Sequence, residues 1–387
     1  HILTSHEQGA AHAADGYART SGKVGVVFAT SGPGATNLVT GIATAMMDSV
    51  PIVAITCNVT TDLLGKDSIQ EIDIVGVTTP ITKHNFLVKS AEDIAPTIRR
   101  AFKIARSGRP GPVLVDITKD ATGNMCEFEP EIQDTSVERK IESDENAFKA
   151  AIELIESAKR PLIYAGGGVI AAEAAEELKR FRAKIDSPVT LSLMGLGAFP
   201  ASDKAFTGMI GMHGTKTTSL AISECDLLIA VGARFSDRVT CNIQTFAPNA
   251  KVLHIDTDRA EIDKNVKTDH SIIGDAKLVL ERLAKTVKQQ HHDEWMNKIY
   301  EWEGEYPIHK PYDGVFTPQC IMETVNAAIG RDSIATTDVG QHQMWAAQYL
   351  MVERPRKFIT SGGLGTMGFG LGAAIGAQVA NPDYVVV

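Results

Sequence analysis

One alternation constrains this 387-residue chain more than any other feature: short apolar, β-branched runs are each followed by a stretch with helical spacing. "VGVVFAT" leads into "SGPGATNLVTGIATAMMD", then "VPIVAITC" and later "GPVLVDIT" repeat the style. Runs that are apolar throughout suit strands covered on both faces. A helix between successive strands is the connection that parallel strands require. The chain is therefore predicted to be α/β, built on parallel sheets with crossover helices.

Further along, "CEFEPEIQDTSVERKIESDE" breaks the pattern with polar and acidic residues and reads as a linker. A second α/β block has strands at "RPLIYAGG", "PVTLSL", "CDLLIAVGA" and "KVLHIDTD", and closes on a helix and the charged, aromatic "KQQHHDEWMNKIYEWEGEYP". A third opens at "FTPQCIMETVNAAIGRDSIATTDVGQHQMW" as helix, strand and turn. This length suits two or three domains. Residue 1 falls inside what reads as a strand, with no initiator methionine or signal-like segment, and the last residues, "DYVVV", read as a strand with nothing after it. The expectation is a chain cut at both ends.

Composition excludes some classes of function. A net charge of -9 without a basic block argues against nucleic acid as a partner, so anionic ligands would be held by helix ends or single arginines. The five cysteines are scattered, with no CxxC pair, which speaks against a disulfide framework or zinc site and fits a reducing cytosol. The uncharged stretch Leu364 to Ala380 has a GxxxG series at Gly368, Gly372 and Gly376, but it is short for a bilayer and reads as a Gly-rich turn and a tightly packed helix. No membrane partner is expected.

The first acid in the chain poses a sharper question. Glu7 joins a short apolar run to an alanine-rich helix, and Ser5 with Gln8 reads as a capping box that places it in the first turn. His6, Glu7 and His12 imitate a zinc helix, but six residues turn the second histidine by roughly 240°, away from the first. His291 and His292 read as solvated neighbours on a charged helix, and no metal ligands are assigned.

Several turns look built for phosphates or nucleotides. "TSGPGATN", Thr30 to Asn37, joins a strand to a helix and brings backbone N–H groups to a helix start. It lacks the GK[ST] of a Walker loop. "YAGGGVI" has glycines after a strand, including Gly166 and Gly167, without the GxGxxG spacing. "GMHGT" and "VGARFSDRV" add two more turns, the second with Gly232 and with Arg234 and Arg238 four apart, as if on one face. Asp256 and Asp258 stand at a strand's C-terminal end, where acids meet ribose hydroxyls. Together these favour a nucleotide-binding central domain.

In order along the chain, "SHEQGAAHAADGYAR", "TSGPGATN", "GRPGPVLVDI", "GLGAFP", "GMHGT", "VGARFSDRVT", "DVGQHQMW" and "GGLGTMGFGL" resemble the large, catalytic subunits of acetolactate synthase (acetohydroxyacid synthase), a family of thiamine diphosphate enzymes. The resemblance implies three doubly wound parallel-sheet domains, the first and last incomplete. They are a pyrimidine-binding domain at 1–125, a linker at 126–145, a central FAD-binding domain at 146–290, a linker at 291–315, and a diphosphate-binding domain at 316–387.

It also implies roles, residue by residue. Glu7 would hydrogen-bond the aminopyrimidine ring of thiamine diphosphate and drive it to the imino form, a task for which burial would raise its pKa. Met367 would support the bent cofactor, with Gly365 beside it, and Gly340, Gln341 and His342 would flank the diphosphate. Gln70 and Lys83 would line the substrate approach. Arg238 would receive the carboxylate of the second 2-oxo acid. Arg109, Met212, His213, Gly214, Thr215, Arg234, Asp256 and Asp275 match a pocket for FAD, held structurally. Mg2+ ligands would lie beyond Val387, where the family has "GDG".

Ile69 stands where the family has Phe, and "GLG" at Gly370 to Gly372 where it has "GLP". The implied activity, a transferase reaction, is decarboxylation of pyruvate and condensation with a second pyruvate or 2-oxobutyrate, in branched-chain amino acid biosynthesis. At least a homodimer is implied, or a homotetramer, with the site between the N-terminal domain of one chain and the C-terminal domain of another, and with a small regulatory subunit as a further partner. The expected location is the cytoplasm, or a plastid or mitochondrion in a eukaryote. Two alternatives stand: a pyruvate oxidase or other thiamine diphosphate-dependent 2-oxo acid decarboxylase, and a non-catalytic nucleotide-binding protein.

Overall fold

The computed structural model describes residues 1–128, 130, 138–311, 314–330 and 332–387. Part of the 126–145 linker and part of the 291–315 linker lie outside the described residues. Two compact units emerge: His1–Glu138 with Ser333–Gly340 and Ile359–Val387, and Arg139–Asp332 with Gln341–Phe358.

The first unit is built on strands β1 (Gly25–Ala29), β2 (Ile52–Asn58), β3 (His84–Val88) and β4 (Val113–Thr118), in the order β1-β2-β4-β3. Every pairing is parallel. The central strands explain the uninterrupted apolar runs, since β4 is buried at each of its positions and β2 at all but Cys57. β3, by contrast, is a half-exposed edge strand opening on His84 and Asn85, so no apolar run announced it.

Helix α1 (Glu7–Ser21) lies against the helix Phe369–Ala380 at very close range, because small residues face each other. A Cβ on Gly16 would meet Ala373 O at 2.2 Å, and one on Gly376 would meet Ala13 O at 1.8 Å. The uncharged GxxxG stretch is thus a turn and a helix of 12 residues, and no described helix is long and apolar enough to cross a membrane. A buried ion cluster fixes the same region: Arg19 pairs with Asp15 and, at 2.9 Å, with Asp48, whose carboxylate also accepts from the amides of Gly362 and Gly363.

The second unit holds a six-stranded parallel sheet: β5 (Pro161–Ala165), β6 (Val189–Leu191), β7 (Phe206–Met209), β8 (Leu227–Val231), β9 (Lys251–Asp256) and β10 (His270–Ile273). Its order, β10-β9-β8-β5-β6-β7, runs outward in both directions from β5. Along β5, Ile163 and Ala165 enter one core and Leu162 and Tyr164 the other, which is what a strand covered on both faces must do. A doubly wound sheet of this kind opens a crevice where the winding reverses, here between the C-terminal ends of β5 and β8. The edge pieces β7 and β10, four residues each, carried no run long enough to read from sequence.

The two-residue strands β11 (Ala335–Thr336) and β12 (Phe358–Ile359) form a separate pair. The closing "VVV", read as a strand, pairs in parallel with 334–336: Ile334 N donates to Val385 O at 2.9 Å, Val387 N to Ile334 O at 3.0 Å and Thr336 N to Val387 O at 2.7 Å.

Candidate active site and nucleotide crevice

Glu7 is the first residue of α1. The cap before it is His6, whose Nδ1 accepts from Gln8 N at 3.1 Å, so the capping box expected from Ser5 gives way to an imidazole one residue later. Glu7 Oε2 accepts from Asn37 Nδ2 at 3.0 Å, across a separation of 30 residues. Asn37 closes helix α2 (Pro33–Asn37), the helix that follows β1 and the "TSGPG" turn. A Cβ on Gly34 would stand 3.2 Å from Glu7 Oε1, so the turn's glycine lets backbone and carboxylate approach. Here the expectation of a raised pKa is corrected. Glu7 is half-exposed, and its hydrogen bond from Asn37, with a backbone bond in second place, holds the carboxyl below its ordinary value. Asn37 is the partner that sequence reading missed.

Gln70 is exposed and adopts a left-handed backbone, φ +60°, against Gly32. Lys83, expected to line the substrate approach, donates from Nζ to Ile104 O at 2.5 Å and Ser107 O at 2.6 Å. These carbonyls end the helix Ile94–Arg106, where the negative end of the dipole attracts a cation. Arg109, expected in the FAD pocket, belongs to the first unit and donates from Nε to Ser49 Oγ at 2.8 Å.

Met367 is 77% exposed at the turn before the Phe369–Ala380 helix, with Gly365 at φ +67° two residues earlier. The turn is held by Asp338, another residue the sequence did not single out: its carboxylate accepts from Gly368 N at 2.9 and 3.0 Å and from Gly370 N at 3.2 Å. An acid at a helix start offsets unpaired N–H groups. Gly340 adopts φ +150°. Gln341 and His342 are exposed and open the helix Gln341–Tyr349 of the second unit.

Near the C-terminal ends of β5 and β8 the second unit brings several glycines together. Gly166 and Gly168 pack on Gly232 and Ala233, where added Cβ atoms would fall 2.3 Å from Gly232 O and 2.6 Å from Gly232 Cα, and Gly167 lies against Met194. The "GMHGT" turn reaches the "ARFSDRVT" turn: Met212 N donates to Arg238 O at 2.8 Å. Gly214 folds over Met209 O, His213 O accepts from Gln348 Nε2 at 2.9 Å, and Thr215 caps the helix Lys216–Glu224 by accepting from Thr218 N at 3.1 Å.

Arg234 and Arg238 do not share a helix face, because the helix there runs only over Asp237–Thr240 and Arg234 precedes it. Arg238 is well exposed beside Asp237 and Met212. Asp256 ends β9 and accepts from Asp258 N at 2.8 Å, as a strand-terminal acid should. Asp275, expected in the FAD pocket, caps the helix Ala276–Thr286, accepting from Lys277 N and Leu278 N, and pairs with Arg139 at 3.2 Å. One orphan stands out. His254, fully buried in β9, bonds Ala233 O through Nε2 at 2.9 Å, while its Nδ1 has no partner and burial lowers its pKa. His292, for its part, gives its ring to the carbonyls of Ile185 and Ala158. No three His, Cys, Asp or Glu side chains converge as a metal set among the described residues.

The chain is similar to known proteins. Three family descriptions match: "Thiamine pyrophosphate enzyme, N-terminal TPP binding domain" over residues 1–77, the "central domain" over 148–283 and the "C-terminal TPP binding domain" over 338–387. An acetolactate synthase large subunit of Parasynechococcus marenigrum is 50% identical over 396 residues, covering 100% of this chain and 64% of that protein. A probable acetolactate synthase large subunit of Methanocaldococcus jannaschii is 50% identical, covering 100% and 68%. The isozyme 2 large subunit of Escherichia coli is 47% identical, covering 100% and 70%. The chain thus spans about two thirds of the length of these relatives, and it belongs to the acetolactate synthase large-subunit family of thiamine pyrophosphate enzymes.

Proposed function

We propose that this chain performs acetolactate synthase chemistry: decarboxylation of pyruvate and joining of the two-carbon unit to a second pyruvate or to 2-oxobutyrate, at the start of branched-chain amino acid biosynthesis. The observation that carries this reading is the Glu7 carboxylate at the head of α1, bonded by Asn37 and set against Gly34. When bound, thiamine diphosphate supplies the carbanion stabilisation that loss of carbon dioxide needs.

The chain's own part is positioning and proton control. Asn37 favours the ionised form of Glu7, which would accept a hydrogen bond from a protonated ring nitrogen of the cofactor and favour that tautomer. A cradle in which glycines allow close approach, with an acid at its edge, fits the pyrimidine end of the cofactor. Met367 offers an exposed, unbranched thioether as a support for the rings. Arg238 presents a well-exposed guanidinium whose planar fork suits the carboxylate of the acceptor acid.

The crevice of the second unit fits FAD. In support of this reading, Gly166 and Gly232 allow close backbone approach and Asp256 ends β9, where it would meet a ribose, with Arg234 and Met212 as further contacts. We read the flavin as structural. Among the described residues no three His, Cys, Asp or Glu side chains gather as a set for Mg2+.

Domain limits of 1–125, 146–290 and 316–387 are proposed on the same basis, as is a cytoplasmic or organellar location. Exposed apolar side chains at Leu371, Ile375 and Val379, and at Val26 and Phe28 on edge strand β1, support a homo-oligomer, to which a small regulatory subunit would be added. The test is acetolactate formation by the native full-length protein from pyruvate with thiamine diphosphate, Mg2+ and FAD. Flavin reduction with oxygen uptake and no acetolactate would assign it to an oxidase instead.

A further inference from the structure

The loop between β2 and the helix Ile74–Thr78 is wound around one carboxylate. Glu71 accepts from the amide of Gly65, from Lys66 N at 3.3 Å and from Ser68 N at 3.0 Å, and its own N–H donates to Ser68 O at 3.0 Å. Ser68 Oγ closes the base of the loop on Leu63 O at 3.1 Å. Successive amides turned inward make a concave anion site, and here the chain fills that site with its own acid. The winding needs left-handed backbone at Gly65, φ +73°, Asp67, φ +51°, and Gln70, φ +60°. Gln70 has a side chain, so this conformation persists only where its surroundings enforce it.

Two surroundings do so. On one side is the Glu71 clasp, next in sequence. On the other is Gly32, itself at φ +63°, where an added Cβ would fall 2.8 Å from Gln70 O and 2.9 Å from Gln70 Cα. Two residues on, Gly34 faces Glu7 Oε1. The "TSGPG" turn is therefore pressed between Gln70 and the acid at the head of α1, while Gln70 itself stays exposed.

We propose that Glu71 is the positioning residue for Gln70: by gathering the amides of Gly65, Lys66 and Ser68 it fixes the left-handed backbone of Gln70 against Gly32, and so sets where the Gln70 amide meets the 2-oxo acid. This rests on the reading of the site given above. A charged acceptor suits three inward donors better than an amide does, and in keeping with this the clasp holds Glu71 below the usual carboxylate range.

The experiment is a double-mutant cycle in the native full-length protein, with Gln70→Ala, Glu71→Ala, the double variant and Glu71→Gln. Each is measured for the pyruvate KM, for kcat, for thiamine diphosphate affinity, and for hydrogen exchange at Gly65, Lys66 and Ser68. Glu71→Ala is expected to raise KM about tenfold, the share of the productive conformer lost with a charge-assisted clasp. Thiamine diphosphate affinity should stay put and exchange at the three amides should quicken. Glu71→Gln, which keeps an acceptor oxygen, should recover most of KM. In the Gln70→Ala background, Glu71→Ala should add nothing further to KM.

Independent, multiplying effects of the two substitutions would overturn the proposal, as would a fall in kcat and melting temperature at constant KM. Unchanged exchange at the three amides would remove the clasp itself. If Gln70→Ala leaves both kinetic constants alone while Glu71→Ala still speeds exchange, the clasp stands, but the assignment of Gln70 to the site fails and the positioning role falls with it.

Discussion

Replacing Gly376 by alanine should separate α1 from the Phe369–Ala380 helix. The new Cβ would stand 1.8 Å from Ala13 O, 2.7 Å from Ala13 C and 2.9 Å from Tyr17 N, all backbone atoms that no rotamer change relieves. Ordinary contact begins near 3.4 Å, so the helices must part by 1.6 Å at this point. A gap of that size forfeits more than half of the dispersion energy across the crossing, where Gly16 and Gly372 also lie. Overlap with backbone puts the cost at or above the top of the ~1–3 kcal/mol usual for overpacking.

Alanine's better helix propensity returns ~1 kcal/mol, leaving a net loss of about 2 kcal/mol. For a unit of this size the melting transition should fall by about 4–8 °C. Gly9→Ala on α1 is the control: nothing lies within 4 Å of its Cβ, so it should melt at or slightly above the parent. The assay is thermal unfolding of both variants by circular dichroism. Gly376→Ala melting no lower than Gly9→Ala would refute the close helix crossing.

Burial raises the pKa of Glu303 to about 7, so folding favours its protonated form. The folded chain then binds more protons than the unfolded between pH ~4.5 and ~7, and stability drains away as pH rises through that window. Glu303→Gln should consequently melt higher than the parent at pH 8 and level with it at pH 4.5, as calorimetry at the two pH values would test. Asp275→Ala should cost ~1 kcal/mol as a lost helix cap, with the Arg139 pair lost besides, whereas Asp275→Asn keeps most of the stability. Flavin content per folded molecule should hold in Asp275→Asn; a loss of flavin without a loss of stability would return Asp275 to the pocket. Arg238→Ala should spare carbon dioxide release from the first pyruvate and impair capture of the second, so the ratio of acetolactate to carbon dioxide drops. A constant ratio with both processes slowed would mean that Arg238 supports the fold or the flavin.

The α/β class was legible because β2, β4, β5 and β8 are covered on both faces and their sequences cannot alternate. Edge strands β3, β7 and β10 were silent because a short strand with an exposed side needs no such run. At the site, residue types were readable and neighbours were not. Asn37 stands in the "TSGPGATN" turn, yet nothing local says that its amide reaches Glu7. Similarity to a family carries over a residue's identity, while its bonding is set by what lies nearby: Lys83 finds a helix C-terminus and Asp275 a helix N-terminus. The expected rise in the Glu7 pKa failed for the same reason, since alanines nearby suggest burial and give no hint of a donor amide.

Glu7, on the reading proposed here, governs proton control on thiamine diphosphate. Exchange of the cofactor's C2 proton, followed by NMR in the native full-length protein and in Glu7→Gln, reads it without requiring turnover. Exchange should slow by roughly 10²–10⁴ in Glu7→Gln, the usual worth of a positioned acid or base, with flavin content unchanged. An exchange rate equal to that of the parent would reduce Glu7 to an acid that merely starts a helix.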